Sequence, residues 1–135
     1  MSKQALQVSQ TFDQWAQSGK SESMADGHWP IVEQILDKMD LQPSMKVLDV
    51  GCGNGYAVRA MAEKIGSDGQ VAGIDISKSM IEKANSFNNP PNTEFQVSLG
   101  ETIPFANDTF DRILSVECIY YADKPLNVLK DMFRT

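Results

Sequence analysis

The 135-residue sequence has one histidine, two cysteines and no long hydrophobic run. Cys52 and Cys118 are too few for a disulfide scaffold and lack zinc-site spacing, so we expect reduced thiols and a cytoplasmic protein. No cluster of histidine and acidic residues shows metal-ligand spacing, so no metal site is predicted. The apolar runs are too short to cross a bilayer, and the N-terminus lacks the apolar segment of a signal peptide.

Basic residues are also scarce. Lys and Arg number 12 against 18 Asp and Glu, which gives a net charge of −6. This balance argues against nucleic acid as a partner, because contacts with a phosphate backbone need a basic face. It leaves a neutral or cationic small ligand open. With 41% apolar and 22% charged residues the composition is globular, and the length fits one domain.

Hydrophobic periodicity predicts two helices in the N-terminal third. The first covers about residues 4–18. Residues 18–27 are polar, contain two glycines and predict a loop. Pro30 is expected to start the second helix, since its missing N–H is not needed there. The supporting apolar stripes are Leu6, Phe12, Trp15 and Ala16 in the first helix and Ile31, Ile35, Leu36 and Met39 in the second.

From residue 46 onward, strands alternate with helices. Strands are predicted over 46–50, 71–76, 93–99 and 110–116, and helices over 56–65, 78–86 and 125–133. Ser77 is a plausible N-cap of the middle helix. This alternation predicts βαβ units, and right-handed crossovers then give an α/β fold with a doubly wound, Rossmann-like parallel sheet.

The strongest chemical signal is the segment VLDVGCGNG at residues 47–55, where a buried strand runs directly into a glycine loop. Glycines allow the backbone to turn tightly and a ligand to approach. The helix that follows presents free N–H groups at the carboxyl end of the sheet, where ligands bind in such folds. The alternative is a glycine-rich turn without a ligand, which we disfavour because three spaced glycines are costly without a use.

The spacing of the glycines separates two kinds of nucleotide. A dinucleotide fingerprint has the pattern G-x-G-x-x-G, whereas Gly55 comes one residue early and Asp49 precedes the loop. A nicotinamide-dependent oxidoreductase is therefore disfavoured. Asp75 ends the second strand, 20 residues beyond Gly55. An acid there can accept hydrogen bonds from both ribose hydroxyls, which indicates a nucleoside without naming it. The alternative for Asp75 is a solvated acid that caps the next helix.

Four segments together are very similar to class I S-adenosylmethionine-dependent methyltransferases. These are VLDVGCGNG (47–55), GIDIS (73–77), IPF (103–105) and NDTFD (107–111). The last two resemble the family pattern L-P-F-x-D-x-S-F-D, and the resemblance covers roughly residues 30–134. It implies methyl transfer from S-adenosylmethionine to a small-molecule acceptor. The alternative is a non-catalytic module that only binds this cofactor.

The resemblance implies a set of cofactor contacts. Asp49 and the loop glycines match the motif that holds the methionine part, and Asp75 matches the acid that binds the ribose. Ile76 would lie against the adenine, with Met80 a weaker candidate for the same wall. The implied cofactor-binding residues are Asp49, Gly51, Cys52, Gly53, Gly55, Asp75, Ile76, Met80, Glu101 and Ser115.

One position departs from the family pattern. The family's usual adenine-binding Asp falls on Leu99, so Glu101 is the candidate for that contact. Ser115 ends the fourth strand and, with its neighbours, would face the methyl-bearing sulfur.

Methyl transfer asks little of the protein, because proximity and exclusion of water can supply most of the acceleration. A general base is needed only if the acceptor must lose a proton. The weak candidates for this role are Glu117, Tyr120, Tyr121 and His28. For His28 the alternative is a surface or capping role, and for the two tyrosines it is packing over the end of the sheet.

The resemblance also implies an organisation for the chain. Residues 1–135 form one domain, with an N-terminal helical lid segment (1–29) and a cofactor-binding core (30–135). The family core has seven strands, and the four predicted here should lie in the order 3-2-1-4. The fourth strand would then be an apolar edge, which invites pairing. We therefore expect a homodimer, a strand-swapped oligomer, or a piece of a longer methyltransferase.

Overall fold

The sheet has four parallel strands in the order β3-β2-β1-β4, in a computed structural model that describes residues 1–135. This confirms the α/β class and the predicted strand order. The elements are α1 Lys3–Gln17, α2 Lys20–Lys38, β1 Lys46–Val50, α3 Tyr56–Ile65, β2 Gln70–Asp75, α4 Lys78–Ser86, β3 Thr93–Val97, β4 Arg112–Leu114 and α5 Pro125–Arg134, with a 3₁₀ turn at Ile119–Tyr121. None of the helices is long and apolar enough to cross a membrane.

The two central strands are buried on both faces, as expected for strands that are mostly apolar, and Asp49 and Asp75 are buried with them. Because successive side chains of a strand point to opposite faces, β1 contributes to two separate cores. Val47 packs with α2, α3 and α4 on one face. Leu48 and Val50 pack on the other face with Ile103 and with Val128 of α5. The sheet is therefore covered on both sides, and its strands end at one common edge.

The N-terminal third differs from the prediction. Residues 18–27 are not a loop, and Pro30 does not start a helix but lies inside α2. Gly19, with φ of 79°, makes the short break between α1 and α2. The proposed division after residue 29 falls within this helix. The local glycine and proline signals are overridden because α2 buries one continuous face, whose members are Ser21, Ala25, Val32 and Leu36.

Two apolar stripes were also assigned imperfectly. Ile31, placed in the core-facing stripe, is 59% exposed, and Leu6 of α1 is 48% exposed. The face of α2 that packs inward begins with small residues, which a search for large apolar side chains passes over. Ser77 is confirmed as the N-cap of α4, since its Oγ accepts a hydrogen bond from the Met80 N–H at 3.0 Å.

The fourth strand is shorter than predicted, covering three residues instead of the predicted seven. Before it, the Phe110 N–H donates to the Thr135 carbonyl at the end of α5 rather than to β1. After it, Glu117 adopts a positive φ of 49°, which turns the chain away from the sheet. The same turn carries the chain across the carboxyl ends of the strands.

Candidate functional site

A cavity of about 250 Å³ lies at the carboxyl ends of the strands, beneath α1. It brings together most of the residues singled out from the sequence. Those that line it are His28, Gly51, Cys52, Gly53, Asp75, Ile76, Met80, Glu101, Glu117, Tyr120 and Tyr121. Asp49, Gly55 and Ser115 do not line it. The glycine loop, the end of β2 and the segment after β4 therefore share one site.

The three glycines of the loop have positive φ values, so the tight turn expected from the sequence is present. Their surroundings differ. A Cβ on Gly51 would collide with the Cys118 side chain, and one on Gly55 would lie 2.7 Å from the Phe95 ring. A Cβ on Gly53 would meet nothing within 4 Å. Of the three glycines, only Gly53 has open space where a side chain would stand, so a ligand can approach its backbone from that side.

Asp75 is tied to this loop. It is 8% exposed, and its Oδ2 accepts a hydrogen bond from the Gly53 N–H at 2.9 Å. Its Oδ1 accepts one from the Ser77 N–H, also at 2.9 Å. Burial raises the pKa of this carboxyl, against the opposite effect of the two hydrogen bonds. Each carboxylate oxygen has a further lone pair, so Asp75 can still accept hydrogen bonds from a pair of ligand hydroxyls.

Asp49 lies behind the cavity wall, in the middle of the sheet between Gly73 of β2 and Leu114 of β4. It is only 3% exposed. Burial, and then the negative charge of Asp75, raise the pKa of Asp49 to about 7. Two acidic groups thus stand close together under the glycine loop, where a nearby cation would stabilise both.

The segment after β4 forms the opposite wall. The Tyr120 hydroxyl donates a short hydrogen bond to the Glu117 carboxylate, and this bond raises the pKa of Tyr120. Tyr120 is therefore held protonated, which makes it a poor base. Tyr121 packs against Tyr120 with ring centroids 4.5 Å apart and meets Phe12 edge-on at 5.1 Å. Glu117, exposed and already oriented by Tyr120, is the better placed proton acceptor of the three.

Other predicted residues have structural partners. The Ser115 hydroxyl donates to the Val50 carbonyl at 3.0 Å, so it fixes the end of β4 against β1. Glu101 accepts a hydrogen bond from the Lys124 N–H at 3.2 Å and lines the cavity beside Leu99. Both cysteines are free, and burial raises the pKa of each thiol, to about 12 for Cys118. These thiols are protonated fillers rather than nucleophiles.

A helical lid segment (1–29) with Phe12 and Trp15 on its apolar stripe was predicted from the sequence, but Ala5 and Val8 were not singled out in the cover of the cavity. This cover comes from one face of α1, formed by Ala5, Val8, Phe12 and Trp15. The signal was present, because these residues repeat at helical spacing. Trp15 packs edge-on against Phe12 at 4.9 Å. No lysine or arginine lines the cavity, whereas Asp75, Glu101, Glu117 and Asp123 do.

Residues 41–135 match a family described as a methyltransferase domain. The chain belongs to this methyltransferase family. The matched residues include β1, the glycine loop, Asp75 and the segment after β4. They exclude α1, which supplies the cover of the cavity.

Individual methyltransferases show the same relationship. The chain is 28% identical to methyltransferase GfsG of Streptomyces halstedii over 91% of its own length and 45% of that protein. It is 37% identical to phosphoethanolamine N-methyltransferase 1 of Triticum aestivum over 76% of the chain and 21% of that protein. Among solved structures, it matches a chain in the complex of the Haloferax volcanii Trm112 methyltransferase activator with a methyltransferase. That match has a TM-score of 0.86 and 33% identity, and covers 91% of this chain and 54% of the other. The chain thus spans about half or less of these relatives.

Proposed function

We propose that this methyltransferase domain binds S-adenosylmethionine and that the protein transfers its methyl group to a small-molecule acceptor. The observation that carries the proposal is the contact between Asp75 and Gly53. It places a buried carboxylate beside the one loop glycine that faces open space. A carboxylate for ribose hydroxyls and an unobstructed backbone are the two features that an adenosine-containing cofactor needs from this edge of the sheet.

The remaining cofactor contacts follow from the lining of the cavity. Ile76 and Met80 would form the apolar wall for the adenine, with Glu101 at its edge. Gly51 and Gly53 would hold the methionine part. When bound, S-adenosylmethionine supplies a methyl group already activated on a sulfonium. The protein has to orient it and exclude water, and a cationic ligand beside Asp75 and Asp49 would favour the ionised form of these two buried acids.

The lining also indicates the kind of acceptor. The cavity wall is aromatic at Phe12, Trp15 and Tyr121, and it carries acidic but no lysine or arginine side chains. A neutral or cationic acceptor fits such a wall, whereas a phosphate or carboxylate would lie among like charges. If the acceptor loses a proton, Glu117 is the candidate base, and His28 lies on α2 across the cavity.

Calorimetric titration of the purified chain tests the cofactor. Saturable binding of S-adenosylmethionine is expected, with loss of binding in Asp75→Ala. Asp37→Ala is the matched control, since Asp37 is exposed and contacts only Lys64, 3.4 Å away. Competition by S-adenosylhomocysteine but not by NAD excludes a nicotinamide enzyme. No binding at millimolar ligand by the wild-type chain would refute the proposal, and binding without turnover would favour the non-catalytic alternative.

We also propose that the protein forms a homodimer through the β4 side of the sheet. The β4 edge is unpaired, and α5, whose Val128 packs in the same core cluster as Ile113 of β4, exposes an apolar stripe at helical spacing. Leu126, Leu129 and Phe133 of this stripe are 61%, 48% and 94% exposed. An apolar face beside an open edge is a surface that another copy can cover. Light scattering that shows a monomer at high concentration would refute this.

A further inference from the structure

A chain of hydrogen bonds connects the helix that covers the cavity to the proposed ribose-binding acid. Oδ1 of Asp13, on α1, accepts hydrogen bonds from the Ser77 hydroxyl at 2.5 Å and from the Ser79 N–H at 3.0 Å. Ser77 in turn donates its N–H to Asp75. Asp75 accepts its second hydrogen bond from Gly53. Four residues from three segments, namely α1, the junction of β2 with α4, and the glycine loop, are therefore linked.

The inner part of this chain is shielded from water. Ser77 is fully buried, and Asp75 is 8% exposed. Hydrogen bonds in such surroundings are stronger than at the surface, and each orients the next. Burial of Asp13 opposes its ionisation, but the hydrogen bonds from Ser77 and Ser79 outweigh it and lower the pKa of Asp13. The outermost acceptor of the chain is therefore a carboxylate at neutral pH.

We infer that Asp13 is a positioning residue that couples the docking of α1 over the cavity to the orientation of Asp75 and of the glycine loop. This inference rests on the proposed function, because it assigns Asp13 to the same site. In the docked position of α1, Asp13 fixes Ser77, and Ser77 fixes the oxygen of Asp75 that faces it. When α1 moves away, Ser77 loses its hydrogen bond to Asp13, and Asp75 loses the support that this bond gives to Ser77.

A purely structural role for Asp13 would be to cap α4. Ser77 is the N-cap residue and its Oγ accepts from the Met80 N–H, whereas Asp13 accepts only from the Ser79 N–H of this helix, so α4 keeps one of its two caps without Asp13. Helix α1 also has independent ties to the core. Ser9 donates to the Ile76 carbonyl at 3.3 Å, and Gln4 donates to the Tyr121 carbonyl at 3.3 Å. Loss of the Asp13 carboxylate therefore breaks the link to Asp75 while other contacts still hold α1.

Trp15 provides a built-in reporter. It follows Asp13 by two residues, lines the cavity and has the Lys20 ammonium 3.8 Å from its ring centroid. The second tryptophan, Trp29, does not line the cavity and is 37% exposed. Trp29→Phe thus leaves Trp15 as the single tryptophan, which can be excited selectively over the three tyrosines and lies on the helix that is expected to respond to the ligand.

Two measurements on the full chain test the inference in the Trp29→Phe background. The first, without ligand, is amide hydrogen exchange at Gly53. Asp13→Ala should speed this exchange at least fivefold, because the acceptor of that N–H loses its orientation, while amides within α3 keep their rates. Asp13→Asn, which retains an acceptor oxygen, should restore most of the protection. Asp37→Ala is the control and should leave Gly53 unchanged.

The second measurement is titration with S-adenosylhomocysteine, followed by Trp15 fluorescence and calorimetry. Asp13→Ala should weaken binding about tenfold, the effect of losing roughly one charge-assisted hydrogen bond, and should reduce the fluorescence change. Asp13→Asn should weaken it only twofold to threefold. If Asp13→Ala does not fold, Asp13→Asn against Asp37→Asn gives the same comparison at smaller amplitude.

The two measurements separate the two ideas. If the wild-type chain does not bind but Gly53 exchanges faster in Asp13→Ala, the proposed function fails and the coupling stands. If the wild type binds and neither Gly53 exchange nor affinity responds to Asp13→Ala, the inference is overturned. A loss of stability with unchanged Gly53 protection would show that Asp13 only caps α4, and would overturn it as well.

Discussion

Asp49→Asn should reduce the dependence of stability on pH between 5 and 7. Asp49 is buried in the sheet, and its pKa is raised from 3.8 to about 7. The folded chain therefore keeps a proton in this range that the unfolded chain has released. The contribution of Asp49 to the free energy of unfolding is therefore largest below its pKa in the unfolded chain. It is lost as the pH rises through the pKa of Asp49 in the folded chain. Integrated from pH 5 to pH 7, this linkage corresponds to a loss of about 2 kcal/mol in the free energy of unfolding.

Urea unfolding at pH 5, 6 and 7, without ligand, measures this slope. Carboxyls with a lowered pKa, such as Asp13, Asp131 and Glu22, act with the opposite sign but only near and below pH 4, outside the window. Asn has the shape of the protonated acid, so the variant should lose the contribution of Asp49 to the slope and keep that of Asp75, whose pKa is also raised by burial and which acts with the same sign. Asp37→Asn should retain the wild-type slope. A wild-type free energy that rises between pH 5 and 7, or an unchanged slope in Asp49→Asn, would refute the argument.

Three further predictions concern the loop, the tyrosine wall and the interface. Gly53→Ala should cost about 1 kcal/mol of stability for its positive φ but weaken cofactor binding at least tenfold. Gly55→Ala should cost about 2 kcal/mol or more of stability, because its Cβ meets Phe95. Urea unfolding measures the first quantity and calorimetry the second, and two variants with equal losses of stability and of affinity would contradict the assignment. Tyr120→Phe should retain methyl transfer, because its proton is held by Glu117, and loss of turnover would make Tyr120 the base. Phe133→Asp should shift a dimer to monomer in light scattering, and an unchanged mass would place the interface elsewhere.

The central part of the fold was predictable because its signals are local and consistent. The apolar run of β1, the glycine loop and the helical stripe of α3 agree with one another, and Ser77 is a strong N-cap in sequence and in structure. The N-terminal third was not predictable in this way. Two glycines and Pro30 indicate a break, but the burial of small residues on α2 outweighs these local preferences.

Within the site, residue types were predictable but their partners were not. The sequence indicates that Gly51 and Gly55 turn the chain. It does not show that a side chain at these two positions would collide with Cys118 and Phe95, because those residues belong to distant segments. Asp13 is the extreme case. No sequence motif near Asp13 indicates a role in the site, since its hydrogen-bond partner Ser77 is 64 residues away in sequence.

The floor and the cover of the cavity have different origins in the chain. The floor, with the glycine loop and Asp75, lies inside the part matched by the methyltransferase family, and the cover lies before residue 41. Under the proposed function, the floor holds the cofactor and the cover faces the acceptor. Methyl transfer from the same cofactor is then compatible with different acceptors, because α1 can change its acceptor-facing surface without altering the glycine loop. Asp13 is the point where the two surfaces are joined, so a change in α1 that keeps this carboxylate keeps the cofactor site intact.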